Sequence, residues 1–203
     1  MRVALTFDTE HPGRPCSGRT LGSILEALDE AGIRGTFFVQ GRWARSNPDQ
    51  ARQIAASGHL IGNHSHHHAP MDFLTEAGFA ADVLEAEETI EALMGTNPKP
   101  WFRCPFGAGM KDPRVLGQLA ERGYTHVGWD VDPRDWDEVS DSAAVERVVL
   151  EGVAATRDSI VLLHSWPDAT ADALPRIIDG LTAVGAELVD VGALATGGSA
   201  SLR

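Results

Sequence analysis

The sequence predicts an α/β fold in which parallel strands are joined by crossover helices, and three observations carry that expectation. Short apolar runs alternate with amphipathic segments about seven times along the chain. A glycine follows most of the amphipathic segments, where a helix C-cap is expected. The polar residues that stand out gather at the C-terminal ends of the apolar runs. About seven units favour a barrel over an open sheet, a choice that the count alone leaves open.

In chain order, Val3–Phe7 reads as the first strand, built mostly of β-branched, aromatic and leucine residues and ended by Asp8. Thr20–Ala31 carries Leu21, Ile24, Leu25 and Leu28 at helical spacing and stops at Gly32. Gly35–Val39 is the next strand. Asn47 or Asp49 then starts a helix that runs to about Ser57 and stops at Gly58. Strand Leu60–Gly62 precedes an acidic, Ala-rich helix, Thr75–Met94, closed by Gly95. Strand Trp101–Arg103 leads to helix Asp112–Arg122 and Gly123, and strand His126–Trp129 to helix Ser142–Thr156. Strand Ser159–Leu163, helix Ala171–Val184 with Gly185, and strand Glu187–Val191 complete the pattern. No internal repeat or low-complexity linker divides the chain, so one domain over 1–203 is expected.

The net charge is −12 with lysine and arginine scattered, which argues against nucleic acid or an anionic membrane as partner. A neutral or cationic substrate fits better. No apolar stretch reaches the ~18 residues of a membrane span. The opening MRVALTFDTE does not read as a signal peptide, so a cytoplasmic location is expected. Cys16 and Cys104 are far apart and read as plain thiols rather than a disulfide framework. The sequence carries no sign of the oligomeric state.

The polar strand ends hold the chemistry. Residues 61–71, IGNHSHHHAPM, contain four histidines in five positions. In a helical turn, His64 and His68 share one face and can close on one cation, whereas His66 and His67 point elsewhere. A polar surface turn is the alternative. In TFDTE, Asp8 and Glu10 are carboxylates one residue apart, suited to a cation, to base chemistry or to a simple strand-end cap. In WFRCPFGAG, Arg103 can clamp a carboxylate, and Pro105 and Gly107 fix a turn around Phe106. WDVDPRDW offers three aspartates, and Trp136 could wall a sugar-sized pocket. His164 ends SIVLLH; it becomes a general acid if Asp135 or Asp132 reaches it, and is structural otherwise.

Taken in order, TFDTE, HSHHH, RCPFG, DPRDW and LLHS resemble the five motifs of the polysaccharide deacetylases, carbohydrate esterase family four with the NodB homology domain. The resemblance runs from about Arg2 to Leu194. It implies a distorted (β/α)7-8 barrel and metal-dependent removal of acetyl groups from an acetylated saccharide. It implies that His64 and His68 bind a divalent metal, usually zinc, with cobalt or another divalent ion as alternatives. Asp8 would be the base, Arg103 its holder and His164 the acid, tuned by Asp135. The Phe106 N–H would face the oxyanion, and Trp136 and Leu163 would shape the acetyl pocket. The first motif departs from the family's usual TFDD: position 9 is Thr9, and the metal role passes to Glu10, as in members with a D-x-E variant, with Thr9 or a water as the alternative. In the third motif, Cys104 stands where proline is frequent and Phe106 where tyrosine is common. Two rival readings stay open: hydrolysis of another bond (an O-acetyl ester, a formamide or a cyclic imide) and a non-catalytic carbohydrate-binding module.

Overall fold

The computed structural model of the protein describes residues 1–10, 18–137, 139–156 and 158–196. Its strands are β1 (Arg2–Thr9), β2 (Thr36–Val39), β3 (Leu60–Asn63), β4 (Trp101–Phe102), β5 (Thr125–His126), β6 (Asp158–His164) and β7 (Glu187–Val189). The helices are α1 (Gly18–Glu30), α2 (Gly41–Ser46), α3 (Pro48–Ala56), α4 (Glu76–Met94), α5 (Pro113–Glu121), α6 (Ser142–Ala154), α7 (Asp168–Ala183) and α8 (Val191–Thr196). Every expected strand and helix is present within a few residues. Gly32, Gly58, Gly95, Gly123 and Gly185 all take positive φ, as left-handed helix caps require.

The strands pair in parallel in the order β5-β4-β3-β2-β1-β6, while β7 pairs with the first residues of β1. The sheet curls into a distorted (β/α)7 barrel. Across the seam, the segment after β5 meets β6: Asp130 N–H donates to Ile160 O at 2.8 Å, and Leu162 N–H to Val131 O at 2.9 Å. The strand expected over His126–Trp129 therefore ends early. Arg103 explains this, because its guanidinium takes the carbonyls of Val127 and Gly128 that a longer ladder would use.

Strand alternation sorts the barrel into two faces. Val3, Leu5 and Phe7 of β1, Phe37 and Val39 of β2, and Val161 and Leu163 of β6 pack outward against α1, α6 and α7 in the main core. Their neighbours Ala4, Phe38 and Ile160 point inward and meet Val191 and Leu194 of α8. Thr6, Asp8, Leu162 and His164 continue the inward rows towards the C-terminal end of the barrel, where such folds place their sites. Helices α2 and α8 were not anticipated: at six residues each they are too short to show a period. No described helix is long and apolar enough to cross a membrane. Cys104 is buried, and burial followed by the nearby Asp72 charge pushes its thiol up to about 12, which keeps it unreactive. Cys16 lies outside the described residues.

Candidate metal centre and active site

Loops at the C-terminal strand ends enclose a cavity of about 380 Å³ lined by Asp8, Glu10, His68, Phe106, Trp129, Asp132, Trp136, Leu162, His164 and Trp166. Asp8 and Glu10 both face it, as residues two apart at a strand end should. Thr9, between them, does not line it and is fully buried, so the carboxylate that meets the histidines is Glu10.

His64, His68 and Glu10 converge on one point. His64 Nε2 lies 3.1 Å from His68 Nε2 and 3.3 Å from Glu10 Oε2, and His68 Nε2 also contacts Glu10 Oε2. The spacing singled out the pair that converges, but not by a helical turn: residues 64–70 form none. A loop bends His68 back instead, with Ser65 at φ 62° and His68 at φ 58°. Short hydrogen bonds hold this bend. Asn63 Oδ1 accepts the Ser65 N–H at 2.8 Å, Ser65 Oγ accepts the His68 N–H at 3.0 Å, and Asp82 accepts the N–H groups of His66 and His67. Asn63 is itself fixed to Val83 O and to the Tyr124 hydroxyl, which donates to Glu87.

This triad fits a divalent cation. His64 Nδ1 donates to Arg103 O at 2.9 Å, which leaves Nε2 as a lone-pair donor towards the cluster. Two imidazoles and a carboxylate are a zinc-type donor set, and three ligands leave one position open. The electrostatics also call for positive charge. Burial opposes the imidazolium of His64, yet the Asp8 and Glu10 carboxylates outweigh it and raise its pKa. At His68, burial prevails, and with the repulsion of His64 it lowers the pKa against the pull of Glu10.

Asp8 stands beside the triad, with Oδ2 3.5 Å from His64 Nε2. Its Oδ1 accepts from Arg103 Nη1 at 2.8 Å. Arg103 is wholly buried and its donors are engaged: Nη1 also reaches Thr6 Oγ1 at 2.8 Å, Nε reaches Val127 O and Nη2 reaches Gly128 O. The guanidinium stacks 4.1 Å from the Phe38 ring centroid. His126, buried nearby, has no hydrogen-bond partner for either ring nitrogen among the described residues, and burial, then Arg103 and His64, pull its pKa down to about 4.

At the end of β6, Asp135 and not Asp132 reaches His164. Asp135 Oδ1 pairs with His164 Nδ1 at 2.7 Å, and Oδ2 accepts the His164 N–H and the Thr170 hydroxyl. His164 Nε2 therefore faces the cavity, 3.8 Å from Glu10 Oε1. Burial disfavours its charge, but Asp135, then Asp8 and Glu10, raise its pKa to about 9. Asp132 lines the cavity itself, and burial raises its carboxyl pKa.

Phe106 and Trp136 line the cavity as expected, at 68% and 40% exposure, so both present their rings to an incoming ligand. Leu163 does not. Alternation turns it into the helix-packed core, and Leu162, on the same face as His164, forms that wall. The sequence reading also missed Trp129 and Trp166 as wall residues, although Trp129 opens WDVDPRDW and Trp166 directly follows LLHS. The non-glycine residues with left-handed backbone among those described, Ser65, His68, Phe106 and Arg134, all lie in the loops that build this site.

The family model for polysaccharide deacetylases matches residues 1–127. A chitooligosaccharide deacetylase of Rhizobium leguminosarum is 35% identical over 162 residues, covering 80% of this chain and 70% of the relative. A peptidoglycan-N-acetylglucosamine deacetylase of Bacillus cereus is 31% identical over 191 residues, covering 92% of this chain and 66% of the relative. The chain spans about half, 47%, of an uncharacterised Bacillus subtilis protein with which it shares 34% identity over 78% of its own length. In structure, a CE4 family pseudoenzyme of Bacillus anthracis superposes with a TM-score of 0.86 at 25% identity, over 95% of this chain and 64% of the other. A mutant of that pseudoenzyme with restored enzymatic activity superposes equally well, at 26% identity over 95% of this chain and 66% of the other.

Proposed function

The chain belongs to the polysaccharide deacetylase family, and from that premise we propose that it is a metal-dependent hydrolase that removes N-acetyl groups from an N-acetylhexosamine-containing saccharide. One observation carries the reading. A paired base, Asp8 on Arg103, and a paired acid, His164 on Asp135, share one aromatic-walled cavity with the His64, His68 and Glu10 triad. The relatives named as deacetylases of chitooligosaccharides and of peptidoglycan support an acetylated saccharide as the substrate class.

His64, His68 and Glu10 would hold the cation, zinc by ligand type, with cobalt as an alternative. When bound, it lowers the pKa of water towards about 7 and polarises the acyl oxygen. Arg103 occupies Oδ1 of Asp8, so Oδ2 is the atom that takes the proton from the attacking water. The water oxygen bonds to the acyl carbon and the C–N bond breaks. His164 Nε2 gives its proton to the leaving nitrogen. The acetic acid's own proton passes to the amine so that acetate and the ammonium depart, and the proton held by Asp8 returns to His164 through solvent. The Phe106 N–H faces the acyl oxygen as it gains charge. Trp129, Trp136 and Trp166 offer flat apolar surface to sugar faces.

The test is acetate release from N-acetylglucosamine oligomers and acetylated xylan, and ring opening of small cyclic imides, each before and after chelation. Release from the oligomers, lost on chelation and regained with zinc or cobalt, is the expected outcome. Turnover confined to xylan or imides shifts the assignment to the other bond. Saccharide binding with no metal-dependent turnover places the chain beside its pseudoenzyme neighbour.

The acid role has its own pH signature. His164 must carry a proton to deliver it, so kcat falls as pH rises through its pKa. The cation's charge offsets Glu10 and Asp8, which puts that limb below the value of about 9 in the metal-free protein. Asp135→Asn keeps an acceptor for Nδ1 but removes the charge. The alkaline limb should then move down by about 1–3 pH units. An unmoved limb assigns it to another group.

A further inference from the structure

Among the described residues, one further group of ligand-type side chains converges outside the catalytic triad. It consists of His66, His67 and Glu85, whose donor atoms lie within 4.8 Å of one another. We propose that these three side chains form a second divalent-cation site, weaker than the first and in competition with the guanidinium of Arg45. Two imidazoles and a carboxylate suit zinc, nickel or copper(II). None of the three lines the catalytic cavity.

The geometry is already close to that of a bound ion. His66 Nε2 is 3.3 Å from Glu85 Oε1. Ligands about 2.0–2.1 Å from a tetrahedral ion stand about 3.3 Å apart, so this edge needs no rearrangement. Asp82 engages His67 Nδ1 at 2.8 Å, and a carboxylate on one ring nitrogen is the usual way to orient a metal-binding imidazole. The same carboxylate accepts the N–H groups of His66 and His67, which fixes the backbone of both. Gly41 leaves the notch into which the buried His66 ring fits; a Cβ there would collide with His66 Nδ1. His67 and Glu85 are open to solvent, at 53% and 38% side-chain exposure, so an ion has a route in.

Arg45 holds the place of that ion in the metal-free protein. Its Nη1 lies 2.8 Å from Glu85 Oε1 and 3.5 Å from His66 Nε2. At 55% exposure the side chain can swing into water, and an exposed pair of this kind is weak. A divalent ion therefore displaces a weakly held guanidinium, and the loop of residues 64–68 carries ligands for two ions.

Zinc titration of the chelator-stripped full chain tests this, by calorimetry and by metal analysis after equilibrium dialysis. The expected result is two ions per chain, one tight and one weak. His67→Ala and Glu85→Gln should each abolish the weak site alone, leaving the tight ion in place. Arg45→Met should tighten the weak site roughly two- to fivefold, the worth of an exposed ion pair. Binding is read without turnover, so the result stands apart from the deacetylase assignment. A single ion per chain up to millimolar zinc overturns the site, as does a weak ion that binds undiminished to both His67→Ala and Glu85→Gln. Unchanged affinity in Arg45→Met overturns the competition.

Discussion

Asp8→Asn is expected to lower kcat by roughly 10²–10⁴, the usual worth of a general base, while the protein still takes up one tight ion. The argument is geometric. Asp8 borders the triad at 3.5 Å from His64 Nε2 but is not one of the converging ligands. Asparagine preserves the acceptor for Arg103 and the volume, and loses only the charge and the basicity. His64→Ala and Glu10→Ala should behave differently, because each removes a donor atom from the metal. Their loss of metal affinity should exceed the ~10–100-fold typical of losing a partner that merely orients a ligand. Metal analysis beside steady-state kinetics separates the two classes. If Asp8→Asn is fully active, Asp8 is not the base. If Glu10→Ala keeps a tight ion, Thr9 or water completes the shell instead.

Arg103→Met should destabilise the metal-free protein by about 3–5 kcal/mol, because it strands a buried carboxylate. For a chain of this size each kcal/mol shifts Tm by roughly 2–4 °C, so a fall of about 6–20 °C is expected in a melting curve. The pair is 2.8 Å apart, with Arg103 at 0% and Asp8 at 6% side-chain exposure, so solvent screening is minimal. Four acceptors lose their donor together: Asp8, Thr6, Val127 and Gly128. Asp8→Asn combined with Arg103→Met should cost less than the sum of the two single changes, since the stranded charge is then gone. A shift below about 2 °C for Arg103→Met would mean that water reaches Asp8 once the arginine is removed.

The parts of this molecule that repeat were readable and the parts that bend were not. Alternating apolar runs gave β1, β2, β3 and β6, and the glycine caps gave the ends of α1, α3, α4, α5 and α7. Asp8, Arg103 and His164 stood out because a charged residue at the end of an apolar run is conspicuous. The His64–His68 pair was found by spacing, although its convergence depends on left-handed Ser65 and His68, which no periodicity announces. Leu163 was chosen over Leu162 because both look alike in sequence; only the inward direction of His164 decides the parity. Thr6 and Thr170, which hold Arg103 and Asp135, lie far in sequence from the residues they serve. Such support is invisible until the chain is folded. The choice of Glu10 over Thr9 came from the resemblance; in the structure Asp8 and Glu10 line the cavity and Thr9 between them does not.

Arg103 spans the seam of the barrel. Its guanidinium binds Asp8 on β1 at one end and, at the other, two carbonyls of the segment after β5 that meets β6. The strand ladder is incomplete there, so a side chain of the candidate site serves as a structural tie. Any fluctuation that parts the seam also draws the Arg103 guanidinium away from Asp8.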